Sequence, residues 1–232
     1  MSHSPTFHTT RWTLVQQSRG DDMPSRQALS DLCAAYYEPV VAFISRSGFD
    51  ESRARDLAHG FFARLLASLQ VLKPERERGR FRSYLLGSVK HFVADALDQE
   101  RAQKRGGNVE LVHLTQADAD LPLDGALTPD RAFDRQWALT VLNRVLQQLS
   151  AELARKGKEA HFTLLKPWLM GDDGTLTQAE TAARLGINEG AVKVAIHRLR
   201  KRFRELLSAE IAQTVGSDVE ARDELGHLLA AM

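Results

Sequence analysis

Lys193, His197, Arg198, Arg200 and Lys201 share a short stretch with Val192, Ile196, Leu199, Phe203 and Leu206, whose alternating spacings of four and three mark a helix with one apolar face. Ammonium, imidazole and guanidinium groups on the back of such a helix are the groups that hold phosphates and reach base edges. Just upstream, Thr177-Gln-Ala-Glu180 has the spacing of a capping box, in which hydroxyl and carboxylate satisfy the free amides of a helix start. The helix it opens is short, because Gly186 stops it after Ala182, Ala183 and Leu185; Ile187 plugs the turn and Asn188 caps the next helix. Short helix, glycine turn and basic amphipathic helix spell a helix-turn-helix, whose second helix enters the major groove. Lys193, Val194 and His197 are expected at base edges, with Thr177, Asn188, Arg198, Arg200 and Lys201 completing the DNA-facing set. An ordinary helical hairpin with a basic face is the competing reading.

A second basic block supports nucleic acid as the partner. The chain has 232 residues and a net charge of only +1, but the average hides an alternation. Residues 76–105 hold eight bases against four acids, 108–134 six acids opposed only by Arg131, and 187–204 six bases against Glu189 alone. Arg80, Arg82, Lys90, Arg101, Lys104 and Arg105 stand in the first block, with Tyr84 and His91 as planar groups among them.

The elements that must carry these residues are helical. Leu29, Leu32 and Tyr36, then Val40, Phe43 and Ile44 after Pro39, predict two short helices or one kinked helix. Ala54, Leu57, Phe61, Leu65 and Leu69 make the next stripe, and Phe81, Leu85, Ser88, Phe92 and Ala96 a third. Phe133, Trp137, Val141, Val145 and Leu149 resume the period, followed by Phe162, Leu165 and Leu169. The expected fold is therefore all-α, with two helical domains at 26–106 and 130–208 joined by an acidic linker at 107–129. The second is a helix-turn-helix domain of the winged-helix-like kind. A segment 1–25, anchored by Trp12, Leu14 and Val15, is expected to pack on the first domain, and an acidic tail, 209–232, to fold back near the recognition helix.

Other functions lack their residues. No glycine-rich phosphate loop follows a strand, Cys33 is the lone cysteine, the eight histidines have no paired metal spacing, and Asp172-Asp173-Gly174 lacks the further oxygens of a calcium loop. No catalytic residue, metal or cofactor is expected. No run reaches the roughly 20 apolar residues of a membrane span, and Met1-Ser2-His3-Ser4-Pro5 has no basic segment followed by an apolar one. A reducing cytoplasm is the compartment expected of a chain with one cysteine.

Residues 176–200 resemble region four of the sigma factors of the extracytoplasmic-function (ECF) group, in the sigma-70 superfamily, which binds the minus-thirty-five promoter element. Asp56-Leu-Ala-His-Gly-Phe-Phe-Ala-Arg-Leu65 resembles their polymerase-binding region, and Phe81-Arg-Ser-Tyr-Leu85 through Asp95 the helix that opens the minus-ten element. The resemblance implies a transcription initiation factor whose partners are core RNA polymerase and promoter DNA, with an anti-sigma factor or Ser/Thr kinase as candidate regulators. It implies polymerase contacts for Asp56, Leu57, His59, Phe61, Phe62 and Arg64. The minus-ten strand falls to Arg80, Arg82, Tyr84, Lys90, His91, Arg101, Lys104 and Arg105, a basic surface with a planar group for stacking an extruded base. Departures are specific: Tyr84 stands where the family usually has Trp, Asp98 where it often has a base, and Ala195 where Arg is common. Arg53-Ala54-Arg55-Asp56 replaces an acidic Asp-Ala-Glu-Asp segment, and a phosphate on neighbouring Ser52 would restore negative charge. A one-component helix-turn-helix regulator is the alternative, and it leaves the first basic block unused.

Overall fold

Leu32, Tyr36, Val40 and Ile44 recur every four residues and are all buried, which winds Met23–Arg46 (α1) onto a core. A computed structural model of the chain describes residues 23–71, 81–105, 127–170, 176–215 and 218–231, and every regular element among them is a helix. Of the two arrangements expected around Pro39, α1 is a single helix with the proline inside it. Proline forfeits one amide donor, and apolar burial on both sides of Pro39 outweighs that loss. Gly48, at φ 105°, ends the helix in a conformation open to glycine, and the Ser47 hydroxyl donates to the Phe43 carbonyl at 2.9 Å.

Asp50 accepts from the Arg53 amide at 2.9 Å and so opens Glu51–Val71 (α2), which buries Ala54, Ala58, Phe61 and Leu65. Phe81–Arg105 (α3) buries Phe81, Leu85, Val89, Val93 and Ala96, a stripe slightly rotated from the expected one. Ser88 and Phe92, expected inside, are half-buried. Pro129–Arg155 (α4), Glu159–Met170 (α5), Gln178–Leu185 (α6), Glu189–Ala212 (α7) and Asp218–Ala230 (α8) complete the order. No helix of the described residues is long and apolar enough to cross a membrane.

The chain divides into two compact units, one of residues Met1–Thr140 with Ala212–Met232, the other Val141–Ile211. These units cut the chain differently from the expected domains: the first turns of α4 and the whole C-terminal segment belong with α1–α3. The first unit's core joins Tyr36, Phe81, Phe133 and Trp137, with Tyr36 edge-on to Phe81 at 5.1 Å and stacked on Phe133 at 6.3 Å. Burial pushes the Tyr36 hydroxyl above its ordinary range, with Glu224 adding to the shift. The second unit packs Val145 and Leu149 of α4 with Leu165, Val192, Ile196 and Leu199 in its core. The expected N-terminal packing segment, the acidic linker up to residue 126 and Asp172-Asp173-Gly174 lie outside the described residues.

Candidate nucleic-acid interface

The helix-turn-helix is built by local hydrogen bonds that the sequence spacing anticipates. The Glu180 amide donates to Thr177 Oγ1 at 3.2 Å while Glu180 Oε2 accepts from the Thr177 amide at 2.7 Å, closing the capping box. That backbone donor, reinforced by the Thr177 hydroxyl, holds the Glu180 carboxyl below the usual range. At the other end Gly186 takes φ 65° and the Ile187 amide donates to the Ala182 carbonyl at 3.1 Å, so the chain reverses within one left-handed residue. Asn188 Oδ1 then accepts from the Ala191 amide at 2.8 Å and starts α7.

Three faces result on α7. Val192, Ile196 and Leu199 are buried; Lys193, His197, Arg200 and Lys201 are exposed on the outer side. Val194, expected with the base readers, lines an open groove of about 610 Å³ with Ala191, Ala195 and Arg198 of its own helix and Leu149, Leu153 and Leu165 opposite. Val194 remains about half exposed, at 49%. Arg200 donates to the Trp168 carbonyl at 2.7 Å through Nη2, satisfying a backbone acceptor in the last turn of α5. Arg202, one position beyond the expected contacts, is bound to Glu152 at 2.6 Å and Glu205 at 3.0 Å; these carboxylates raise its pKa, and Arg202 lowers that of Glu152. Arg202 thus fastens α7 to α4. Lys193, His197, Arg198, Lys201 and Arg204 are exposed along the same helix.

In the first unit the expected polymerase-facing residues separate by burial. Asp56, His59 and Arg64 are exposed and Leu57 is half-buried, whereas Phe61 and Phe62 face the core. His59 Nε2 lies 3.0 Å from the Tyr37 hydroxyl, with the rings 5.3 Å apart. Arg64 pairs with Asp95 at 3.3 Å. The cations that replace the family's acidic segment have internal partners: Arg53 with Glu100 at 3.4 Å, and Arg55 with Glu51 at 3.1 Å and Glu38 at 3.3 Å. Ser52 is exposed in the first turn of α2.

Among the expected strand-binding residues, His91 and Arg101 are exposed and Tyr84 is half-buried beside Phe81. Lys90 is exposed and paired with Asp130 at 2.7 Å. Lys104 and Arg105 lie in the last turn of α3, and Arg80 falls outside the described residues. Arg82 departs most: only 7% exposed, it donates from Nε and Nη2 to the two carboxylate oxygens of Glu224 at 2.6 and 3.3 Å, and from Nη1 to Asp134. Its guanidinium lies over Trp137, 5.1 Å from the ring centroid. Burial disfavours its charge, but the paired carboxylates outweigh burial and raise its pKa. Arg82, one of the expected strand contacts, is therefore withdrawn from solvent, because an acid from each of two other helices binds it. Glu224, within the expected acidic tail, is fully buried against Arg82 in the first unit.

Over 184 residues, 79% of this chain and 75% of the relatives' length, the sequence is 29% identical to the ECF RNA polymerase sigma factors SigD of Mycobacterium bovis and of Mycobacterium tuberculosis. The chain is thus similar in sequence to ECF sigma factors. No family model matches it, and no solved structure does. The likeness is carried by sequence over most of the chain.

Proposed function

We propose that this chain is a sigma factor, which binds core RNA polymerase, recognises promoter DNA and helps to open it. The observation that supports this most is the sequence likeness over three quarters of the chain to proteins named as ECF sigma factors, coinciding with a capped helix-turn-helix that carries Lys193, His197 and Lys201 outward. In this reading Lys193 and His197, one turn apart near the start of α7, read base edges, while Arg198 and Lys201 hold phosphates. Asp56, Leu57, His59 and Arg64 on α2 are the polymerase-facing residues, with Phe61 and Phe62 supporting them from the core. His91, Arg101 and the end of α3 follow the minus-ten strand, and Tyr84 offers a ring for stacking. Ser52 is a modification position that would set polymerase affinity, since a phosphate in the first turn of α2 adds about −1.5 to −2 charge where Arg53 and Arg55 now stand. An anti-sigma factor is the other candidate regulator.

Promoter-directed transcription by purified core polymerase, with and without the chain, tests the reading. Initiation at discrete sites only when the chain is present is expected. Specific operator binding by the free chain, with no effect on the polymerase, would replace it with the one-component regulator.

A further inference from the structure

Three carboxylates in the first unit occupy cations of α3. Asp130 holds Lys90, Asp134 holds Arg82, and Glu224 holds Arg82 through two hydrogen bonds. Asp130 and Asp134 are one helical turn apart on α4, so they present two anions in a row to one face of α3. A nucleic-acid strand would offer the same face a row of phosphates. The contacts differ in strength: Lys90 and Asp130 are each about half exposed and exchange readily with solvent, whereas Glu224 is fully buried. The C-terminal segment is seated by more than this pair. The Phe81 amide, at the very start of α3, donates to the Thr214 carbonyl at 3.3 Å, and Val215 and Leu228 are each 1% exposed.

We propose that the C-terminal helix α8 is an intramolecular latch on the strand-binding helix, in which Glu224, with Asp134 of α4, stands in for DNA phosphates and keeps Arg82 from the promoter strand. This rests on the sigma-factor reading and names the regulation of its minus-ten surface. Strand and latch compete for Arg82, so an engaged strand displaces α8, and an unlatched chain binds single strands more tightly. The recognition helix is not the latch's target, so its duplex affinity is independent of Glu224.

The test uses the full-length chain and a labelled oligothymidylate, which carries phosphates without promoter sequence. Glu224→Gln with Asp134→Asn should bind it several-fold more tightly than the unsubstituted chain. The plot of log affinity against log salt should steepen by about 0.7 for the one cation freed on a single strand. Adding Arg82→Gln should return the slope to its original value, which a general loosening of the fold would not do. A folded double variant with unchanged affinity and slope overturns the latch. Should that variant fail to fold, hydrogen exchange on the unsubstituted chain decides: faster exchange across 218–230 at saturating oligothymidylate supports competition, and unchanged protection overturns it. Co-elution of the same preparation with core polymerase separates the two claims. A chain that co-elutes but shows no latch effect loses only the latch, and one that fails to co-elute loses the sigma-factor reading.

Discussion

Arg82→Met removes the charge at the centre of the first unit's buried network while keeping an unbranched, apolar stem over Trp137. Glu224, fully buried, would then be left without its guanidinium, and breaking a buried pair from one side costs about 3 to 5 kcal/mol. Against a total stability of about 5 to 15 kcal/mol for a domain, the variant should unfold at a markedly lower urea concentration. Adding Glu224→Gln removes the stranded carboxyl, so the double variant should recover at least half of the loss; a pair measured this way reports coupling rather than two separate deletions. Glu224→Gln alone should cost less than Arg82→Met, because Asp134 remains bound to the arginine. Equilibrium urea unfolding would be followed by Trp137 fluorescence, with Trp12 and Trp168 replaced by Phe to isolate the first unit. A loss for Arg82→Met below about 1 kcal/mol, the range of exposed pairs, would refute the buried network in solution.

Further outcomes follow from the second unit. Thr177→Ala should destabilise it by about 1 kcal/mol through loss of the cap on α6, read as a lower urea midpoint. Gly186→Ala should cost about 1 to 2 kcal/mol, and the cost is purely conformational because nothing lies within 4 Å of the added methyl. Lys193→Ala should weaken binding to a specific duplex by about 1 to 3 kcal/mol if it reads a base; an equal loss on every sequence would assign it to phosphate. The Glu180 carboxyl is held low in the folded state, so its contribution is present above the ordinary carboxylate pKa and disappears as pH falls through the lowered value. A carboxyl NMR titration should therefore place Glu180 below exposed glutamates, and Thr177→Ala should bring it back towards them.

Much of this architecture was legible in the sequence because its determinants are local. The capping box at Thr177, the glycine at 186 and the cap at Asn188 each act within four residues, and each forms the bond its spacing implies. The helical stripes were equally readable, apart from small rotations: Val89 and Val93 face inward where Ser88 and Phe92 were expected. Pro39 left one helix or two open, because the local penalty of a proline does not reveal the tertiary burial that offsets it. Arg82 and Glu224 were illegible for a stronger reason, being 142 residues apart. Charge counting places an arginine and a glutamate on the surface, and only the docking of α8 turns them into a buried pair. The same holds for Arg202, whose partner Glu152 lies on another helix. Reading a run of cations as DNA contacts selects a face, but it cannot tell which members are already bound to the chain's own acids.

The central claim is association with the transcription machinery, and size-exclusion chromatography of the purified full-length chain mixed with core RNA polymerase tests it most directly. The account predicts a shift of the chain into the polymerase peak, weakened by charge reversal at Asp56 on the exposed face of α2. Elution at the position of the free chain, with core enzyme in excess and the helix content intact, would contradict it.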